Sequence, residues 1–188
     1  MNKGTLYRLA AFAEKPGGGN PAGVWIGKAL PDEATMQQIA AEVGYSETAF
    51  VAPERGTSRA VRYFSPEREV PFCGHATIAA GAVMGTATAE TTYALSTTVG
   101  IVPVTVRSSG QRTEVSLTSV DTKHKSAPDE LLEEALSALG WKKDELDSAI
   151  PPAIAYAGAW HLVIAVVSAK RLAHLDYDFE KLKALMLR

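Results

Sequence analysis

From residue 75 to residue 85 the chain is rich in alanine, isoleucine, valine and methionine, with no strand-like alternation. A stretch that is apolar all round must be covered all round, so it reads as a buried helix. Its N-terminus falls at Cys73-Gly74-His75. Strand-like segments flank it at residues 46–52, 59–64, 91–98, 101–107 and 113–118, after earlier ones at 5–13 and 23–27. Both faces of 5–13 carry apolar residues, which predicts a buried strand. Three glycines at 17–19, then Asn20-Pro21, break it. Pro31-Asp32-Glu33 opens a helix with Met36, Ile39, Ala40 and Val43 at helical spacing, and Gly44 stops it. Ser65-Pro66-Glu67 and Ser109-Gly110 read as turns. Residues 1–120 are thus predicted to form a compact lobe of strands around one central helix.

The composition shifts beyond residue 120. Residues 121–128 are polar and basic and read as a linker. Pro128-Asp129-Glu130 begins an amphipathic helix with Leu131, Leu132, Ala135, Leu136 and Leu139 inward, ending at Gly140. Residues 153–157 and 161–167 read as strands, and 175–186 contain a final helix. This second region, 121–188, has few strands, and closing its sheet needs more chain. Leu162, Ile164 and Val166, or their alternates, are therefore expected to be partly exposed and to favour self-association, or pairing with a complementary chain.

With 46% hydrophobic and 21% charged residues, the chain can bury a core and cover it with polar surface. A net charge of −2 and the lack of a basic stripe argue against nucleic acid and anionic membrane as partners. No segment approaches the ~20 apolar residues that span a bilayer, and the N-terminus carries no signal-like stretch. The expected compartment is the cytoplasm. The single cysteine, Cys73, excludes an internal disulfide and a multi-cysteine zinc site. The four histidines show no paired spacing, so no metal is expected. The triple glycine lacks the features of a phosphate loop or dinucleotide fingerprint, and no Gly-x-Ser-x-Gly elbow is present.

Three places can carry chemistry. Glu47 stands at the start of an apolar strand, where partial desolvation would suit a carboxyl that both takes and gives a proton; an edge-strand glutamate facing water fits the same pattern. At Cys73-Gly74-His75-Ala76-Thr77, Gly74 permits close backbone approach, and the helix start offers unpaired N–H groups and a positive dipole end to a carboxylate. His75 can donate there. Cys73, at a helix end, can have a lowered pKa and act as nucleophile or base. A buried cysteine packing as a small hydrophobe and a capping histidine fit equally well. Asn20 can place its amide in a cleft, or simply make a turn. His161 opens a strand beside Trp160 and reads as structural, and His124 and His174 are assigned no role.

Taken together, Gly19-Asn20-Pro21-Ala22-Gly23-Val24, Ser46-Glu47-Thr48-Ala49-Phe50-Val51, Arg62-Tyr63-Phe64-Ser65-Pro66, Pro71-Phe72-Cys73-Gly74-His75-Ala76-Thr77 and Tyr156-Ala157-Gly158-Ala159-Trp160-His161-Leu162 closely resemble the phenazine-biosynthesis, or PhzF-like, isomerase family. The resemblance implies an α+β fold of the diaminopimelate-epimerase kind. That fold has two pseudo-symmetric lobes, each a mostly antiparallel sheet wrapped on a central helix, with the active site between them. It implies an isomerase that moves a proton on a small carboxylated substrate without a cofactor. Glu47 aligns with the acid/base carboxylate, and Gly74 and His75 with the substrate-binding helix terminus. Asn20, Cys73, Ala76 and Thr77 complete the expected substrate-binding set. Cys73 falls where related epimerases keep a thiol, a position that varies in PhzF-like proteins.

The resemblance also implies more chain. Family members carry a later motif of the Glu-Asp-Pro-Ala-Thr-Gly-Ser-Ala type that supplies the facing half of the pocket, and nothing in this sequence matches it. On that reading the chain is a C-terminally truncated member with an incomplete second lobe, a fragment, or one half completed by another chain. The alternatives to an active isomerase are a non-catalytic remnant that binds a small acid or a partner chain, and a Cys73-dependent hydrolase or thiol epimerase.

Overall fold

A computed structural model of the chain describes residues 3–15, 17–85, 90–109 and 112–187. It divides into two compact units, Met1–Asp121 and Thr122–Arg188.

The first unit contains β1 (Gly4–Ala11), β2 (Asn20–Gly27), α1 (Glu33–Val43), β3 (Glu47–Pro53), β4 (Ser58–Phe64), β5 (Glu69–Val70), α2 (Gly74–Met84), β6 (Thr91–Thr97), β7 (Gly100–Ser109) and β8 (Arg112–Leu117). Among the described residues these strands form one sheet in the order β1-β2-β3-β4-β6-β7-β8, with β5 pairing with β4. The pairs β2–β3 and β4–β6 are parallel and the others antiparallel. Helix α2 touches β1, β2 and β3 near one end of this order and β7 and β8 at the other. One helix can meet both ends only if the sheet curls around it.

Strand alternation sorts the side chains of this sheet into two layers. Ala22 and Val24 of β2, Ala49 and Val51 of β3, and Val61 and Tyr63 of β4 pack with Ala76, Ala79 and Ala80 of α2 inside the curl. The alternate residues Trp25, Phe50 and Phe64 face outward and are covered by Met36 and Ala40 of α1. The small residues of α2 are what let a helix fit there. A Cβ added at Gly81 would lie 2.5 Å from Val115 Cγ1 and 3.1 Å from Val104 Cγ1.

Helix α1 begins and ends where its sequence says it should. Asp32 accepts a hydrogen bond from Thr35 N at 2.8 Å, and Gly44, at φ 70°, closes the helix in the left-handed region. β1, expected to be buried, is instead an edge strand with mostly exposed side chains. Among the described residues it pairs with β2 alone, so the sheet protects only one of its sides. β5, which follows the Ser65-Pro66-Glu67 turn, is a two-residue pairing too short to read from periodicity. The predicted Ser109-Gly110 turn lies partly outside the described residues.

The second unit contains β9 (Lys123–Ser126), α3 (Asp129–Leu139), a 3-10 turn at Lys143–Glu145, β10 (Ala153–Tyr156), β11 (Trp160–Val163), α4 (Ala169–Ala173) and α5 (Phe179–Met186). Its sheet runs β11-β10-β9, all antiparallel. The predicted linker at 121–128 therefore contains a strand. All four side chains of β9 are exposed, so no burial pattern marked it. β11 stops at Val163 rather than 167, because Val163 pairs with Ala153, the first residue of β10, and Pro151-Pro152 precede it without N–H donors. The final helix predicted within 175–186 is α5, and α4 is a further short helix that precedes that span. Asp178 is extended and accepts from Lys181 N at 3.0 Å, starting a fresh helix after α4 has ended. Leu132, Leu136 and Trp141 form the core of this unit, with Ile164 and Val166 packed against them. Leu131 and Leu139 are half-buried, and Ala138 is buried in their stead. Leu162, Ile164 and Val166 are half-buried, while Trp160, Val163 and Val167 are exposed. Among the described residues, no helix is long and apolar enough to cross a membrane.

Candidate active site at the N-terminus of the central helix

Gly44 turns the chain out of α1, and Tyr45-Ser46 deliver Glu47 as the first residue of β3. Glu47 alternates with Ala49 and Val51, so its side chain stands on the α2 side of the sheet. Asn20, first in β2, shares that side with Ala22 and Val24, and Ala22 is the register partner of Glu47. Cys73, extended at φ −143°, is the N-cap residue of α2, and His75 lies in the first helical turn.

These elements bring three side chains together. His75 Nε2 lies 3.5 Å from Glu47 Oε2 and 3.5 Å from Ser46 Oγ. On the other side of the ring, His75 Nδ1 lies 3.1 Å from Cys73 Sγ. Glu47 is 23% exposed at its side chain and His75 11%. A Cβ placed at Gly74 would meet nothing within 4 Å, so the helix terminus borders open space at that residue.

Beneath this surface a buried hydrogen-bond chain holds the turn. Thr77 Oγ1 donates to Cys73 O at 2.7 Å, and the Tyr63 hydroxyl lies 2.6 Å from Thr77 Oγ1. Thr77 N also donates to Cys73 O, at 3.0 Å. Ala76 and Thr77, expected in the substrate-binding set, are both fully buried. The Thr77 side chain is committed to the turn and does not line the open space.

The thiol behaves oppositely to the expectation of a lowered pKa. Burial, and next the backbone donor Ala76 and the Glu47 carboxylate acting in opposite directions, leave Cys73 pushed up to about 12. Desolvation of the thiolate outweighs the backbone donors at the helix end and favours the protonated thiol. Tyr63 is likewise pushed up by burial.

Glu47, Cys73 and His75 present ligand atoms within 4.8 Å of one another, a grouping no sequence spacing revealed because Glu47 is remote along the chain. Sulfur and carboxylate, however, face opposite nitrogens of one imidazole, an arrangement suited to passing or orienting a proton. Ser46 was not singled out from sequence either, although it sits inside the Ser46-Glu47-Thr48 motif. His124, His161 and His174 all lie in the second unit. A shallow concavity there, lined by Glu133, Ser137 and Leu185, contains no comparable grouping.

The profile of phenazine biosynthesis-like proteins, PhzC-PhzF, matches residues 9–187. The chain belongs to this family. It is 30% identical over 171 residues to the uncharacterized isomerase YfhB of Bacillus subtilis, covering 89% of this chain and 58% of that protein. The crystal structure of the Bacillus anthracis phenazine biosynthesis protein of the PhzF family superposes with a TM-score of 0.71 at 26% identity, over 93% of this chain and 60% of that one. A predicted epimerase of Pseudomonas aeruginosa shares the fold at a TM-score of 0.82 and 24% identity, over 97% of this chain and 66% of the other. The chain thus spans about three-fifths of the length of the PhzF-like relatives it matches. The curled sheet on a central helix is the α+β, epimerase-like fold that the motifs imply.

Proposed function

We propose that this protein is an isomerase of the PhzF-like kind that moves a proton between two carbons of a small carboxylated substrate. Glu47 carries the proton. The observation that bears most weight is the convergence of Glu47, His75 and Cys73 at the open N-terminal end of α2. A substrate carboxylate is held at that end, where the first-turn N–H groups and the helix dipole favour an anion and Gly74 leaves room. Asn20, on the same side of the sheet at the start of the neighbouring strand, supplies an amide to the substrate. Ala76 and Thr77 contribute through the backbone that shapes the turn.

The reaction needs no cofactor on this reading. Glu47 takes a proton from a carbon made acidic by conjugation with the substrate carboxyl. The electron pair left behind delocalises into the conjugated system, and Glu47 returns the proton to a second carbon on the same face. His75 steadies the carboxylate between the two transfers. We assign the unit Met1–Asp121 to the first lobe of the epimerase-like fold, and Thr122–Arg188 to the position of the second.

The test is solvent exchange. A panel of small unsaturated and dihydroaromatic acids is incubated with the protein in deuterated water, and incorporation at carbon is followed by NMR. Glu47→Gln keeps the shape and removes the proton acceptor, and is expected to lower exchange by at least the ~10²-fold typical of general acid/base catalysis. Near-normal exchange in the variant, with the fold intact, overturns the assignment of Glu47.

A further inference from the structure

The imidazole of His75 is engaged at both nitrogens, by chemically different partners. Nδ1 faces the Cys73 sulfur at 3.1 Å, and Nε2 faces the Glu47 carboxylate at 3.5 Å. A protonated thiol has one hydrogen to give. A neutral imidazole has one N–H to give and one lone pair to accept with, and the partner of one nitrogen decides what the other presents. We propose that Cys73 is a positioning residue that donates its S–H to His75 Nδ1, fixes the imidazole as the Nε2–H tautomer, and so aims a hydrogen-bond donor at Glu47.

Two features favour this tautomer and a third is compatible with it. The thiol is buried beside a carboxylate, which keeps its hydrogen in place. The alternative tautomer would turn an Nε2 lone pair towards a carboxylate oxygen, which is repulsive. Ser46, the other group at Nε2, has a hydroxyl oxygen that accepts from an N–H as readily as its hydrogen donates. The groups that face His75 are therefore Cys73 from the N-cap of α2, and Glu47 and Ser46 at the entry to β3. The remaining acceptor within the cluster for the thiol hydrogen is Glu47 itself, and the experiment below separates the two acceptors.

The tautomer has a mechanistic consequence. An Nε2–H aimed at Glu47 gives its carboxyl oxygen a donor on the side away from the thiol, and fits the order in which Glu47 abstracts from carbon before it delivers. This consequence rests on the reading of Glu47 as the proton carrier. The tautomer itself does not, and it can be measured without any substrate.

The experiment uses the whole chain with ¹⁵N-labelled histidine and records imidazole correlation spectra at neutral pH. Loss of one set of signals in His75→Asn identifies His75 among the four histidines. The wild-type protein is expected to show His75 with Nε2 protonated and Nδ1 unprotonated. Cys73→Ser, whose hydroxyl still donates, is expected to keep that state. Cys73→Ala and Cys73→Val, which have no donor, are expected to shift His75 towards a tautomer mixture while the other histidines stay unchanged. Two apolar variants guard against one failing to fold. A protonated Nδ1 in the wild type overturns the proposal, as does an unchanged His75 spectrum in both apolar variants, which would mean that Glu47 sets the tautomer without Cys73. Failure here leaves the Glu47→Gln exchange test standing, and an active Glu47→Gln protein leaves the tautomer result standing.

Discussion

The Tyr63 hydroxyl and the Thr77 hydroxyl lie 2.6 Å apart in the core, directly under the turn that presents Cys73 and His75. Thr77 passes its own hydrogen to Cys73 O, so the Tyr63 hydrogen goes to Thr77. Thr77→Val breaks both bonds and strands a buried tyrosine hydroxyl. An unsatisfied buried polar group costs about 1–3 kcal/mol. We expect a loss of that size in chemical denaturation, largely restored in Thr77→Ser.

Cys73 couples the site to stability at alkaline pH. Its folded pKa is pushed from an ordinary value of 9.0 up to about 12, chiefly by burial. The folded protein therefore holds this proton more tightly than the unfolded chain. The resulting stabilisation is complete below pH 9 and is lost as the pH rises through about 12. Stability measured across that window should fall less steeply in Cys73→Ala than in the wild type. Because this is the only cysteine in the chain, alkylation by iodoacetamide at pH 8 reads the same group. It should be much slower in the folded than in the unfolded protein, and faster in Glu47→Gln, where the neighbouring negative charge is gone.

Gly81 packs the central helix closely against β7 and β8. Alanine there places its Cβ 2.5 Å from Val115 Cγ1 and 3.1 Å from Val104 Cγ1, against β-branched side chains that are stiff about χ1. Overpacking costs about 1–3 kcal/mol, against the ~1 kcal/mol by which alanine favours a helix interior over glycine. Gly81→Ala should therefore lower the denaturation midpoint, an outcome opposite to that for an exposed helical glycine.

Thr48 follows Glu47 on the opposite face of β3. It is fully buried, and its hydroxyl has no hydrogen-bond partner among the described residues. Valine has nearly the same shape without the buried polar atom. Thr48→Val should raise stability by up to about 1 kcal/mol, measured by thermal and chemical denaturation. A clear loss would mean that a bound water completes the hydroxyl.

Much of the first unit was legible because its signals are local. Asp32 and Gly44 bound α1 through contacts no more than four residues apart, and the all-round apolar stretch of α2 admits only a covered helix. β9 and β5 were not legible for the converse reason. A strand of exposed Lys123, His124, Lys125 and Ser126 is a strand only because β10 lies beside it. The apolar residues of β1 likewise do not reveal that β2 is its one neighbour among the described residues.

By itself the sequence determined the caps, the central helix, the alternation of the strands and the adjacency of Cys73, Gly74 and His75, since each depends on residues a few positions apart. Tertiary structure alone decided that Glu47 faces His75 Nε2 while Cys73 faces Nδ1, that Thr77 is spent on holding the turn, and that burial overrides the helix end at the thiol. Those outcomes depend on how the curled sheet brings β3 alongside α2 and on how much water is removed there, and neither quantity is carried by any short segment of the chain.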